Sequence, residues 1–173
     1  CNFPAMVNTH DMMAKMAPGG TFLLNTSVPA DKIWDTLPLE MQEAMIEKDV
    51  KLRVVNALKV AREAGMGGRV NTVMQACFFA LSNIIPQSEA IAAIRSSVVK
   101  TYGKKGQDVV DRNFAAIDMS LESLAEVHYP KQLTSDHEMV HHVWEHKGNA
   151  GSHLPVQAAL AKTIEPIIFN KGN

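Results

Sequence analysis

The residue string with the most specific chemical pattern runs from His137 to His141 and reads His-Glu-Met-Val-His. On a helix, two histidines four residues apart share one face and can bind zinc, with Glu138 as a general base. Ser135 with Glu138 three positions later is also typical of a capping box at a helix start. The surrounding sequence favours the capped helix over a zinc hydrolase, because Lys147 stands where a metzincin needs its third histidine.

A glycine-rich turn, Gly-Met-Gly-Gly-Arg-Val-Asn over residues 65–71, is the second candidate. Glycines permit positive φ and close backbone approach, while Arg69 and Asn71 supply a fixed cation and an amide. The turn follows a predicted helix rather than a strand and lacks a GK[ST] end, so it is neither a dinucleotide fingerprint nor a P-loop. Two hypotheses remain: Gly68, Arg69 and Asn71 contact a ligand, or the turn simply joins two helices, with Arg69 paired to an acid.

Asn25 is the last residue of a predicted strand, Thr26 follows it, and Ser27 is the next polar residue. Open α/β sheets bind ligands beyond the carboxyl ends of their strands, so these side chains are weaker candidates for ligand contact. A simple turn explains the same residues equally well.

Composition limits the class of protein. The chain has 173 residues, of which 46% are hydrophobic and 20% charged, as in an ordinary globular domain with a sizeable core. A net charge of −1 and 6% aromatic residues argue against nucleic-acid binding. No apolar run is long enough to suggest a membrane span. Two cysteines cannot by themselves hold zinc or an iron–sulfur cluster, and their scarcity fits a reducing cytoplasm.

Hydrophobic patterning indicates an α/β organisation. Buried strands are predicted at 21–25 and 52–56, joined by a helix over 39–48, which together form a βαβ unit with parallel strands. After a short helix and the glycine-rich turn, residues 73–81 are nearly all apolar and predict a helix buried on all sides. The fold class that follows is a three-layer α/β domain with a small, mostly parallel sheet flanked by helices.

The remaining elements are predicted to be helical. A short helix over 11–17 would be capped by Thr9, a single helical turn would lie within 31–36, and Ser88 would cap a helix that Gly103 ends. A longer helix is predicted over 107–127 because apolar residues recur at intervals of four and three. They are Val110, Phe114, Ile117, Leu121 and Leu124.

The domain edge is predicted near Tyr129, where the composition becomes polar and rich in histidine. Residues 1–129 would form the α/β domain and residues 130–173 a connector. Because the sequence opens on Cys1 with no helix start or cap, we expect the chain to be a fragment of a longer polypeptide.

Three motifs, GGTFLLN at 19–25, GMGGRVNTVMQACFF at 65–79 and KTYGKKG at 100–106, resemble the pyruvate:ferredoxin/flavodoxin oxidoreductases in order and spacing. The likeness covers about residues 21–127 and falls in the segment equivalent to the gamma subunit of multi-subunit 2-oxoacid oxidoreductases. It implies that the amino-terminal part of the family domain is missing here and that residues 130–173 lead toward a ferredoxin-like domain.

The resemblance also implies a function. The whole enzyme would oxidatively decarboxylate pyruvate or a related 2-oxoacid on thiamine diphosphate and pass electrons through 4Fe-4S clusters to ferredoxin or flavodoxin, with coenzyme A as acyl acceptor. This chain would contribute coenzyme A-side and interdomain contacts through Gly68, Arg69 and Asn71, and more weakly through Asn25 and Thr26.

Further expectations follow from the same resemblance. The chain alone would hold no cofactor or metal, contain no catalytic residue and be inactive. Its partners would be the other domains of the same polypeptide in a cytoplasmic homodimer, with ferredoxin or flavodoxin as acceptor and neither nucleic acid nor membrane involved. The alternative is a non-catalytic α/β binding or structural domain, and a zinc hydrolase is the third hypothesis.

Overall fold

A computed structural model describes residues 1–140, which belong to one compact unit. Most of the predicted connector, 130–173, lies outside the described residues, so the boundary near Tyr129 stays a prediction. The strands are β1 (Thr21–Asn25), β2 (Lys51–Val55) and β3 (Ala125–Val127). The helices are α1 (Leu39–Glu47), α2 (Ala57–Glu63), α3 (Asn71–Ser82), α4 (Gln87–Tyr102) and α5 (Gln107–Glu122). Short 3-10 turns lie at Pro4–Asn8, Trp34–Thr36 and Gly103–Lys105.

The sheet confirms the predicted βαβ unit. The strand order is β1-β2-β3, and β1 pairs with β2 in parallel, with Thr21 opposite Lys51 and Asn25 opposite Val55. β3 pairs antiparallel to β2, with Leu52 opposite Val127. The α/β class is therefore confirmed, and the third strand makes the sheet mixed.

Strand β3 falls where the sequence pattern predicts the end of a long helix. The helix ends at Glu122, and residues 125–127 pair with β2 instead of continuing the helical stripe. Val127 is buried against the sheet core, while Glu126 faces the opposite side and forms an ion pair with Arg53 of β2. The Arg53 guanidinium holds the pKa of the Glu126 carboxyl below its usual value.

One face of the sheet packs against α1 and the amino-terminal segments. Phe22 and Leu24 of β1 lie in one apolar cluster with Leu52 and Val54 of β2. Met41 and Met45 of α1 are fully buried in the same cluster. Period-2 alternation in the strands and helical spacing in α1 produce this packing.

The other face of the sheet packs against α2, α3 and α5, and α4 lies outside α3 and α5. Val55 and Leu23 contact a cluster that includes Val60, Val73 and Ala116. A further cluster joins α3 to α4 and α5 through Ala76, Ile94, Val98, Val110 and Ile117. Helices thus cover both faces of the sheet, which gives the predicted three layers.

Two local predictions at the amino-terminal end had different outcomes. The helix predicted over 11–17 is wrong: these residues form turns, in which the Asp11 carboxylate accepts hydrogen bonds from the amides of Met13 and Ala14. Asp side chains compete with helix formation in this way by binding nearby backbone amides. The helical turn predicted within 31–36 is present as the 3-10 segment Trp34–Thr36.

Two predictions about α3 and α4 are corrected. Helix α4 begins at Gln87 after Pro86, with no side-chain cap, so Ser88 lies inside the helix rather than capping it. Helix α3 is not buried on all sides, because Phe78 is 53% exposed. The face of α3 that carries Val73, Ala76 and Cys77 is buried.

No helix within residues 1–140 is long and apolar enough to cross a membrane.

Tyr129, two residues after β3, contacts the end of α1 and the residue before β2. Its hydroxyl lies within hydrogen-bond distance of the carbonyl oxygens of Met45 and Val50 and donates its one proton to the nearer, that of Val50; its ring stacks on Trp34 with centroids 4.3 Å apart. Burial, with a smaller contribution from the charge of Asp49, raises the pKa of Tyr129 above its ordinary value of 10.0.

We expect Tyr129→Phe to cost about 1 kcal/mol at neutral pH through the lost hydrogen bond of the hydroxyl and to remove an alkaline loss of stability. Because the folded-state pKa is raised, the stabilisation is complete below about pH 10 and is lost as the pH rises through the folded-state pKa. Urea unfolding between neutral pH and about pH 11 measures both effects. Tyr102→Phe, the control, keeps the alkaline loss; an unchanged pH profile in Tyr129→Phe contradicts the prediction.

Candidate functional site

The turn between α2 and α3 positions the best-supported site residues. Gly65 and Gly67 have φ angles of 72° and 65°, which L side chains rarely adopt, so glycine is required for the chain to reverse here. Met66 between them is buried, and its amide donates to the Ala61 carbonyl at 2.7 Å. The buried methionine fixes the turn to the domain and leaves Gly68 and Arg69 exposed.

Arg69 is exposed, and one nitrogen of its side chain is held by a hydrogen bond to the turn. Its Nε donates to the Met66 carbonyl at 3.3 Å, which orients the guanidinium over the turn. Within residues 1–140, Arg69 forms no ion pair, so the simple-turn hypothesis lacks its acidic partner in this part of the chain. The terminal guanidinium nitrogens suit bidentate contact with a phosphate or a carboxylate.

Asn71 is the first residue of α3 and is exposed. The helix has no side-chain cap and no acidic residue in its first turn. Its first backbone amides therefore lack intrahelical partners and attract negative charge. Arg69 and the start of α3 together form an electropositive corner.

A cavity of about 580 Å³ adjoins this corner. It lies between the first residues of β1 and helix α3, and its lining includes Asn71, Leu23, Met74 and Phe78. No lining side chain among Cys1, Asn2, Thr21, Phe22, Leu23, Asn71, Met74, Gln75 and Phe78 carries a charged group. The arrangement can place an apolar or amide-containing group beside Asn71 and an anion beside Arg69.

Asn25 and Thr26 lie at the carboxyl end of β1, and both side chains are bound within the domain. The Asn25 side chain donates to Asn2 and accepts from the Ala57 amide at 3.0 Å. The buried Thr26 hydroxyl accepts from the Val28 amide at 3.1 Å. Thr26 lines a separate cavity of about 220 Å³, so the cavity beside Asn71 and the cavity beside Thr26 are different ones.

The histidine string does not form the predicted helix in the part that the structure describes. Residues 135–140 have no helical assignment, so the capping box of Ser135 with Glu138 is wrong. His141 lies outside the described residues, and the His137–His141 pair is not tested. The Ser135 hydroxyl instead lies 3.0 Å from Nδ1 of His137. Over residues 1–140, no group of three or more His, Cys, Asp or Glu side chains is placed to hold a metal.

Two buried groups carry no clear functional signal in the sequence. Burial raises the pKa of the Cys77 thiol to about 11, which makes it a structural side chain rather than a nucleophile. Gln42 of α1 is fully buried, and its amide binds residues 134 and 135. In the sequence, Gln42 is recognisable only as a polar residue between two core methionines. That pattern does not show that residues 134 and 135 are its partners.

The family model and two curated relatives that match this chain carry the name of one enzyme family. The family model described as Pyruvate ferredoxin/flavodoxin oxidoreductase matches residues 3–123. Pyruvate-flavodoxin oxidoreductase of Rhodospirillum rubrum is 46% identical over 134 residues, 78% of this chain and 11% of the relative. Pyruvate-flavodoxin oxidoreductase of Trichormus variabilis is 51% identical over 116 residues, 67% of this chain and 10% of the relative.

Among solved structures, pyruvate oxidoreductase subunit PORC of Thermotoga maritima is 20% identical, with a TM-score of 0.46, and the alignment covers 67% of this chain and 61% of that chain. The present chain spans about a tenth of the length of the two curated relatives, 11% and 10% respectively.

Proposed function

The chain belongs to the pyruvate ferredoxin/flavodoxin oxidoreductase family, and from that premise we propose that it forms one domain of an enzyme converting pyruvate, or a related 2-oxoacid, to acyl-coenzyme A. The observation that carries the proposal is the family match over residues 3–123, together with the α/β fold of the same residues. Electrons from the oxidative decarboxylation pass to ferredoxin or flavodoxin. We also propose a homodimer of the whole enzyme in the cytoplasm, a location that the scarcity of cysteine supports.

We place the thiamine diphosphate and the 4Fe-4S clusters of the whole enzyme in its other domains. A 4Fe-4S cluster takes four cysteine ligands, whereas this chain has two cysteines, one of them buried in α3. The role that suits this chain is to bind and orient substrate, and coenzyme A is the substrate whose phosphates match an exposed arginine.

The coenzyme A contact is proposed at the electropositive corner. The Arg69 guanidinium would bind a phosphate of the coenzyme, and the first amides of α3 at Asn71 would support the same negative charge. Gly68 faces open space, and because glycine has no side chain, a ligand could approach its backbone closely. The exposed Arg69, unpaired within residues 1–140, and the uncapped helix start support this placement.

Asn25 and Thr26 belong to the proposal in a different way. The Asn25 amide fixes the end of β1 to the start of α2 through Ala57, so it would position the ligand-binding edge rather than bind directly. The Thr26 hydroxyl accepts one hydrogen bond and can still donate one toward the cavity that it lines.

Interdomain packing is the second part of the proposed role. Helix α3 contains no charged residue, and its outer face exposes Phe78, while Ile84 just beyond the helix is 71% exposed. An uncharged face with an exposed aromatic residue is typical of a surface that another domain covers. The same surface would serve a partner protein under the alternative of a non-catalytic binding domain.

The test of the proposed activity uses the complete polypeptide that carries this chain. Purified anaerobically, it should reduce ferredoxin or flavodoxin only when pyruvate and coenzyme A are both supplied, and acetyl-coenzyme A should form in step with acceptor reduction. Other 2-oxoacids are compared in the same assay. A complete polypeptide that holds its cofactors but turns over no 2-oxoacid with coenzyme A would refute the proposal.

A further inference from the structure

Residues 134–140, here called the strap, contain no helix or strand and lie against the first turn of α1. Five of their backbone groups, four amides and the His137 carbonyl, are bound by residues far away in sequence, and Met139 is buried in the core cluster that includes α1. The strap includes His137 and Glu138 of the histidine string, which the proposed function does not use.

Gln42 is the centre of the contact. Its Oε1 accepts hydrogen bonds from the amides of Thr134 at 2.9 Å and Ser135 at 3.2 Å. Its Nε2 donates to the Trp34 carbonyl at 2.6 Å and to the Thr134 hydroxyl at 3.4 Å. The side chain is 0% exposed, and the full capacity of its amide is used.

The far end of the strap is bound by neighbours of Gln42. The Glu40 carboxylate accepts from the Met139 amide at 2.9 Å, and the Val140 amide donates to the Asn8 carbonyl at 2.7 Å. Between them, the His137 carbonyl accepts from the Leu39 amide at 3.0 Å. Helix α1 has no side-chain cap, so this carbonyl satisfies one of its first-turn amides.

We propose that Gln42 anchors the strap as one cooperative unit, which docks and releases without unfolding the sheet. The inference is independent of the proposed enzyme activity. It assigns the described part of the histidine string a structural use: His137 serves through its main-chain carbonyl as a cap of α1. A buried side-chain amide with three polar partners on the strap is costly to leave unpaired, so loss of either side weakens the whole contact.

The experiment is amide hydrogen exchange of the 173-residue chain, followed residue by residue by NMR. In the native protein, the amides of Thr134, Ser135, Met139 and Val140 should exchange at similar rates, faster than those of Leu52 and Val54 in β2. Gln42→Met keeps the side-chain volume but removes the amide. It should raise exchange about tenfold or more at all four strap amides and leave β2 unchanged.

Two controls separate anchoring from general damage. Glu43→Met places the same residue at the neighbouring exposed position and should leave the strap protected. His137→Ala removes the imidazole but keeps the capping carbonyl and should also leave it protected. If Gln42→Met does not fold, Thr134→Ala removes the hydroxyl that accepts from Gln42 and donates to Asp35, and it should give a smaller increase of the same pattern. Asp35→Ala removes only the second of these bonds and should leave the strap protected.

Three outcomes would overturn the proposal. Faster exchange at Thr134 and Ser135 alone would show two separate contacts rather than one unit. Equal acceleration in β2 would show that the strap is part of the global core. An unchanged strap in folded Gln42→Met or in Thr134→Ala, or release of the strap by His137→Ala, would show that Gln42 is not the anchor.

Discussion

Replacing Arg69 with alanine should raise the KM for coenzyme A by about tenfold to a hundredfold in the complete enzyme, with little change in the KM for pyruvate. A hydrogen bond to a charged group contributes about 1.5–3 kcal/mol, and each 1.4 kcal/mol corresponds to a factor of ten. The effect follows from the exposed guanidinium at the start of α3, which within residues 1–140 has no acidic partner to neutralise it. Steady-state kinetics with coenzyme A and pyruvate varied separately measures it.

Arg62→Ala is the matched control for this experiment. Arg62 is also exposed, and it lies in the last turn of α2 beside a different cavity. The control should leave both KM values unchanged, whereas Arg69→Lys should fall between wild type and alanine because lysine keeps the charge but loses the planar fork. Equal KM values for coenzyme A in wild type and Arg69→Ala would show that Arg69 does not bind coenzyme A. The family assignment would not be affected.

Leu52→Ala should destabilise the chain by about 2–5 kcal/mol, the usual cost of truncating a fully buried leucine. Leu52 is 1% exposed in the central strand and contacts the cluster that joins the sheet to α1. It also lies opposite Val127, so its loss weakens both the core and the pairing of β3. Urea unfolding followed by far-UV circular dichroism gives the free energy.

Leu58→Ala makes the same substitution at an exposed position of α2, where the side chain is 39% exposed. We expect a change of less than about 1 kcal/mol there, because little apolar surface is removed from a packed environment. Similar losses for the two variants would mean that the β2 core contributes less than its burial indicates.

The sequence predicted those elements whose pattern is local. Strands β1 and β2 were predicted from short apolar runs and helix α1 from a helical stretch between them, and the structure has all three, with β2 one residue earlier than predicted. Strand β3 could not be predicted in the same way, because Ala125–Val127 are three residues whose partner, β2, lies far back in the chain. A helical stripe that runs on to Leu124 concealed the change of structure, and tertiary pairing overrode the local preference.

The candidate site shows the same division. The types and spacing of Gly68, Arg69 and Asn71 are enough to identify a cation in a glycine-rich turn between two helices. The sequence could not show that Asn71 lines a cavity with β1, nor that Asn25 is engaged with Asn2 and Ala57. Those facts depend on which main-chain groups meet in the fold. The predicted contacts with coenzyme A stay predictions until the Arg69 experiment is done.

The position of β2 has a consequence for the order of events during synthesis. β2 is the central strand, yet its second neighbour is β3, and helices α2 to α5 are made between them. While the ribosome makes those helices, one edge of β2 has no strand beside it and is open to pairing with other chains. The side-chain amide of Gln42 remains without its strap partners for longer than β2 remains without β3, because Thr134 is made after β3. The sheet and then the Gln42 contact are therefore completed only when residues 125–127 and 134 have been made. A nascent chain stopped before β3 would have both defects, and one stopped between β3 and residue 134 would have only the second.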